Sequence, residues 1–174
     1  LARKSQKPPK SAPTRIGIAL ALLEVLQDPP KIAGVDTPTC AGLLRRETVA
    51  YVAGMREAQA VGAIKMVLLR LADAEAEGKP CPAAPPVPEK LEQLEAGPYE
   101  SKRADYERGG WKCLRHDPLG EPQPFQLEVM IEEGKARVVA RLLPAGRLTE
   151  LFVETPMGKG AIDPGATVLR RKQD

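Results

Sequence analysis

The stretch "FQLEVMIEEGKARVVARLLPAGRLTELFVET", residues 125–155, decides the fold. Phe125, Leu127, Val129 and Ile131 alternate with polar neighbours, and Ala136, Val138, Ala140 and Leu142 repeat the pattern after a turn. A period of two sends successive side chains to opposite faces of a strand. The stretch therefore reads as three strands, about 124–132, 135–143 and 147–154, joined by the Gly-containing turns "EEGK" and "PAGR". An antiparallel meander with one buried face is expected, and Arg137 and Arg141 lie on its wet side. "ATVLR", 166–170, is a candidate closing strand.

Towards the N-terminus the period becomes helical. Residues 14–27 form a helix candidate capped by Thr14 and stopped by "DPP" at 28–30. It is apolar nearly all round, which calls for burial on more than one face. After a loop at 31–42, a long helix is expected from about Leu43 to Glu77, with Val49, Val52, Met55, Ile64, Val67, Leu68 and Leu71 at a period near 3.6. Ala50, Gly54, Ala58 and Gly62, each four apart, stack on one of its faces. Such a row of small residues lets another backbone approach closely. The reading is a helix-packing seam against helix 14–27 of the same chain, with an oligomer seam as the alternative. The acidic end "DAEAEG" opposes the helix dipole and invites a basic neighbour.

"GKPCPAAPPVPEK", 78–90, reads as an extended proline spacer, followed by a short helical turn in "PEKLEQLEAG". The fold class expected is thus α+β: an N-terminal helical hairpin, a proline-rich spacer and a C-terminal antiparallel β-meander. The organisation is a basic arm at 1–15, a helical module at 16–77, a linker at 78–98, a β module at 99–169 and a basic tail at 170–174.

Charge sharpens this division. The net charge is +3, but Arg3, Lys4, Lys7, Lys10 and Arg15 make the first fifteen residues +5, and Arg170, Arg171 and Lys172 against Asp174 make the end +2, leaving the body at −4. These basic residues are the expected contacts to nucleic acid or to an acidic partner. Aromatic residues are only 3 % of the chain. Stacking platforms for single strands are therefore scarce, and backbone contact is the form of nucleic-acid binding expected. No stretch reaches the roughly 18–20 apolar residues of a membrane helix, since "IGIALALL" stops at Glu24.

Chemistry-bearing residues are few. "GGWKCLRHDPLG", 109–120, holds the only Trp and the only His, with one of three cysteines. Read as a strand entering the sheet, "WKCLRH" puts Trp111 and Cys113 on one face and Leu114 and His116 on the other, so Cys113 and His116 cannot chelate one ion together. Trp111 is expected as a core anchor and His116 as a strand end before a turn. Cys40, Cys81 and Cys113 are an odd number in separate segments, unlike a disulfide framework, and point to an intracellular, reducing compartment. No leader is visible, although the sequence begins at Leu1 without Met. A zinc site would need four thiolate or imidazole ligands, and only Cys40, Cys81, Cys113 and His116 could supply them. No phosphate loop, nucleophile pair or framed carboxylate pair is present, so no catalytic residue, metal ligand or cofactor is assigned.

The segment "GKARVVARLLPAGRLTELFVETP", 134–156, resembles the closing strands of nuclear-transport-factor-2-like α+β domains. The resemblance covers no functional residue; the alternative reading of function is a small α+β ligand-binding domain or enzyme of that kind, which would hold a pocket between helix and sheet lined by Trp111, Phe125 and Val129. The reading preferred from the charges is a non-enzymatic interaction or assembly protein whose basic termini dock it among other proteins of a larger, nucleic-acid-containing or acidic complex.

Overall fold

The computed structural model describes residues 15–28, 36–116, 122–143 and 146–172. The elements follow the order α1 (Arg15–Val25), α2 (Thr37–Ala76), β1 (Ala84–Val87), a 3-10 turn (Leu91–Leu94), α3 (Arg103–Tyr106), α4 (Gly110–Leu114), β2 (Gln126–Glu132), β3 (Lys135–Leu142), β4 (Thr149–Pro156) and β5 (Leu169–Lys172). The class is α+β, and the five strands form one antiparallel sheet in sequential order. The chain divides into two compact units, Leu1–Met55 and Arg56–Asp174, with the boundary inside α2.

In the first unit, α1 ends at Val25 and a turn runs to Asp28, as "DPP" requires. The capping position expected at Thr14 lies outside the described residues. α2 starts earlier than the sequence reading placed it. Asp36 accepts the Thr39 N–H through Oδ1 at 3.5 Å, and Pro38 sits in the first turn, where a missing N–H costs nothing. The proline taken as a loop signal is part of a helix start.

The second unit has its own core. Ala60, Ile64, Val67, Leu68 and Leu71 form one stripe of α2, and they are buried with Leu127, Val129, Ala136, Val138, Ala140, Leu151 and Val153 of the sheet. The register explains the sorting: Leu127 faces Ala140, Val129 faces Val138, Ala140 faces Leu151 and Val138 faces Val153 across the strands. Glu133 and Gly134 turn the β2–β3 hairpin with φ of 49° and 73°. Both central residues of a two-residue hairpin of this kind need positive φ, which glycine gives freely.

The proline-rich stretch is not a spacer. Ala84–Val87 pairs with β2, and Ala84 and Val87 are buried. Pro85 and Pro86 suit a sheet edge, where missing donors leave no ladder bond unmade. The 3-10 turn at Leu91–Leu94 falls where the sequence suggested one. The basic tail is not free chain either, since Leu169–Lys172 is the β5 edge strand, later than the strand expected at 166–170.

Candidate functional site

The residues singled out by sequence fall in both units. In the first, α1 leaves Ile18, Leu22 and Val25 exposed by 56 %, 41 % and 59 %. At about 100° per residue these three fall within about 60° of one another around the helix. Spacings of i, i+4 and i+7 are those of a helix that anchors in an apolar groove. Arg15 is exposed at the start of α1. Arg3, Lys4, Lys7 and Lys10 lie outside the described residues.

The proposed seam is open. Ala50, Gly54, Ala58 and Gly62 are all exposed, and a Cβ built on Gly54 or Gly62 would meet nothing within 4 Å. Of the apolar period that marks α2, Ile64, Val67, Leu68 and Leu71 are buried against the sheet, while Val49 is exposed.

At the C-terminal end, Arg170 bonds Glu57 of α2 at 2.8 Å. Arg171 lies over the Phe152 ring, 5.2 Å from its centroid, and 3.9 Å from Glu150. Lys172 is exposed. Two of these three cations are therefore already matched by the protein's own groups. Glu150 is the hub of the outer sheet face: Arg137 reaches it at 2.6 Å and Arg141 at 3.2 Å, while Arg141 also meets Glu128 at 2.5 Å. The wet face expected for Arg137 and Arg141 is a half-buried ion network, with Arg137 stacked 4.4 Å from the centre of Phe152.

The segment around the single Trp lies in the second unit. "WKCLRH" is not a strand. Gly110–Leu114 is the short helix α4, and Trp111 and Leu114 turn inward while Cys113 is bonded to Cys81. The two glycines explain why. A Cβ on Gly110 would fall 2.0 Å from the Pro82 carbonyl oxygen, and Gly109 has φ of 52°. Only glycine lets α4 seat against β1 there. The Gly110 N–H then donates to Ala83 O at 2.9 Å, and Trp111 Nε1 donates to Pro85 O at 2.7 Å.

The Cys81–Cys113 disulfide corrects the reading of the cysteines as unpaired. It joins residues 32 positions apart, which by loop-closure entropy adds about 3–4 kcal/mol of stability. It does not support the reducing compartment inferred from the odd count. Cys40 is the free, exposed third cysteine. With Cys81 and Cys113 bonded to each other, neither is a thiolate ligand, and no group of three or more His, Cys, Asp or Glu side chains among the described residues is placed to hold a metal ion. No helix among the described residues is long and apolar enough to cross a membrane.

Trp111 is fully buried, as an anchor should be. Its ring lies 5.8 Å from Tyr106 and 5.5 Å from His116, and the Tyr106 and His116 rings are 5.6 Å apart. Tyr106 donates its hydroxyl to Gln123 Oε1 at 2.9 Å. Burial of this phenol pushes its pKa up to about 12, because the charged form is poorly solvated inside. Tyr99 is raised in the same direction by burial, then by its 2.9 Å hydrogen bond to Asp105.

Beside these rings opens a cleft of about 650 Å³ lined by Arg103, Tyr106, Glu107, Trp111, Lys112, Arg115 and His116. A second cleft of about 250 Å³ lies between His116 and Phe125 and includes Gln59 and Met66. The pocket expected around Trp111, Phe125 and Val129 is not assembled from those three together: all belong to the packed core, and Trp111 and Phe125 edge different clefts. Sequence reasoning missed Tyr106, Lys112 and Arg115. Only the "RADYERGGWKCLR" run of cations around aromatics, 103–115, could have signalled them. Compared with known proteins, the chain matches no family model, no curated protein and no solved structure.

Proposed function

We propose that the protein is a non-enzymatic interaction protein that docks into a larger, nucleic-acid-containing or acidic assembly through its N-terminal unit. The observation that carries this reading is the exposed row Ile18, Leu22 and Val25 on α1. Burying three such side chains in a partner's groove is favourable by roughly 1 kcal/mol or more each. The basic run Arg3, Lys4, Lys7, Lys10 and Arg15 precedes this row directly. It fits an acidic rim beside that groove or a phosphate backbone within the same assembly. The contribution of Arg170 and Arg171 is smaller than the sequence suggested, because their guanidinium groups have partners within the fold.

The test is affinity purification of the full chain from its source cells, with and without nuclease, beside the triple variant Ile18→Asn, Leu22→Gln, Val25→Gln. The variant is expected to lose a specific partner while melting like the wild type. Partners that leave after nuclease treatment assign the basic contacts to nucleic acid, and partners that persist assign them to acidic protein. Unchanged recovery with the triple variant overturns the reading.

A further inference from the structure

We infer that the outer edge of β5 takes up an acidic, extended peptide of another protein, which adds a sixth strand to the five-stranded sheet. This does not rest on docking through the N-terminal unit, since β5 lies in the second unit.

The two edges of the sheet are built differently. β1 and β5 are its outermost strands. A strand paired on one side only leaves every other N–H and C=O group without a ladder partner, and such an edge pairs readily with another chain. β1 is closed to this. Pro85 and Pro86 bring no N–H, and the carbonyl oxygens there are taken by α4: Ala83 O accepts the Gly110 N–H at 2.9 Å, and Pro85 O accepts Trp111 Nε1–H at 2.7 Å. β5 contains no proline and is exposed at all four of its positions. Among the described residues, no strand lies on its far side.

Charge decides which chain fits. β5 reads Leu169, Arg170, Arg171, Lys172. Two β5 strands paired antiparallel in register would set Arg170 opposite Arg171, and like charges directly opposite are destabilising. Prolines turn away any strand, whereas these cations turn away a second copy and favour an acidic partner. Arg170 and Arg171 meet Glu57 and Glu150, yet their side chains stay 47 % and 53 % exposed. A guanidinium carries five N–H donors, so an incoming carboxylate finds donors already held in place and forms charge-assisted bonds with them. Lys172 is exposed as well.

The register sets the pattern of the incoming strand. Leu169 lies opposite Phe152, Arg170 opposite Leu151 and Arg171 opposite Glu150. Leu151 belongs to the core, so Arg170 and Lys172 share the core side of the sheet while Leu169 and Arg171 share the outer side with Phe152 and Glu150. Leu169 is 52 % exposed, and a β-branched apolar residue set across from it would cover it. A fitting strand therefore carries carboxylates opposite Lys172, Arg171 and Arg170 and a Val or Ile opposite Leu169. In strand addition, main-chain hydrogen bonds supply affinity and the side-chain pattern supplies selection.

The full chain is titrated into the fluorescein-labelled peptide Thr-Glu-Glu-Glu-Val-Thr, and binding is read by anisotropy. One control is the same peptide N-methylated at its central amides, which keeps every charge and loses the donors. The other is Thr-Lys-Lys-Lys-Val-Thr. The acidic peptide is expected to saturate, with each control weaker by about tenfold or more. Lys172→Glu, at an exposed position, is expected to weaken the acidic peptide by about tenfold. Hydrogen exchange of the complex is expected to slow the amides of β5 and leave those of β1 unchanged, which separates this edge from the basic residues near the N-terminus. The inference is overturned by the absence of saturable binding up to about 1 mM, or by an N-methylated peptide that binds as well as its parent. Protection confined to the first unit, or a Lys172→Glu variant that titrates like the wild type, overturns it too.

Discussion

Tyr106 shows how much one residue can report. Its hydroxyl is buried and its pKa is about 12, against 10.0 for an exposed tyrosine. A group whose folded pKa is raised contributes stability that is intact below the unfolded pKa. That contribution is lost as pH rises through the folded pKa, because the unfolded chain gives up the proton first. Stability is therefore expected to fall between about pH 10 and 12, by up to about 1.4 kcal/mol per pH unit. Urea unfolding across this range checks it. Tyr106→Phe should flatten most of the slope, leaving the smaller share of Tyr99, and an unchanged slope would show that the phenol is not the group responsible. Trp111 as a core anchor was legible in the sequence, because a lone Trp among aliphatics has few other places to go. The pairing of Cys81 with Cys113 was not. It depends on α4 seating against Pro82 and Ala83, a contact that exists only once Gly109 and Gly110 are placed.

Elements were legible where their period was long and clean. β2, β3 and β4 fall within a residue or two of the expected strands, since alternation over 125–155 has one interpretation once a face must be buried. Six residues, "WKCLRH", carry too little pattern to separate a strand from a helical turn. β1 was hidden by its own prolines, which mark a spacer in one context and a sheet edge in another. The row Ala50, Gly54, Ala58 and Gly62 was legible as a pattern, but not as a surface. In the structure it faces solvent. Ala58→Leu is therefore expected to change stability by no more than about 0.5 kcal/mol, as exposed substitutions do. Thermal melting of the purified protein at two concentrations a hundredfold apart measures this. A concentration-independent loss of about 1–3 kcal/mol, the usual cost of overpacking, would show that a segment of the same chain covers the row. Melting that varies with concentration would show that a second copy does.

At the scale of the whole molecule, the two units differ in how much apolar surface they hide. Among the described residues of the first, the buried apolar side chains are Ala19, Ala41 and Val52, all small or medium. The second buries Trp111, Leu68, Leu71, Leu127, Val138 and many more around one core, and it is further tied by Cys81–Cys113. Burial scales with apolar area removed from water. Local opening free energies follow the same quantity, from near zero at poorly packed helices to the global value in core strands. The amides of α1 should therefore exchange with solvent faster than those of β3 by about two orders of magnitude or more. Hydrogen exchange of the full chain followed by mass spectrometry reads both in one experiment. A partner that engages Ile18, Leu22 and Val25 would slow α1 and leave β3 unchanged, because it adds buried area only where the protein lacks it. Equal protection of α1 and β3 in the protein alone would mean that those three side chains are already covered, and the N-terminal unit would then have no unsatisfied surface with which to recruit anything.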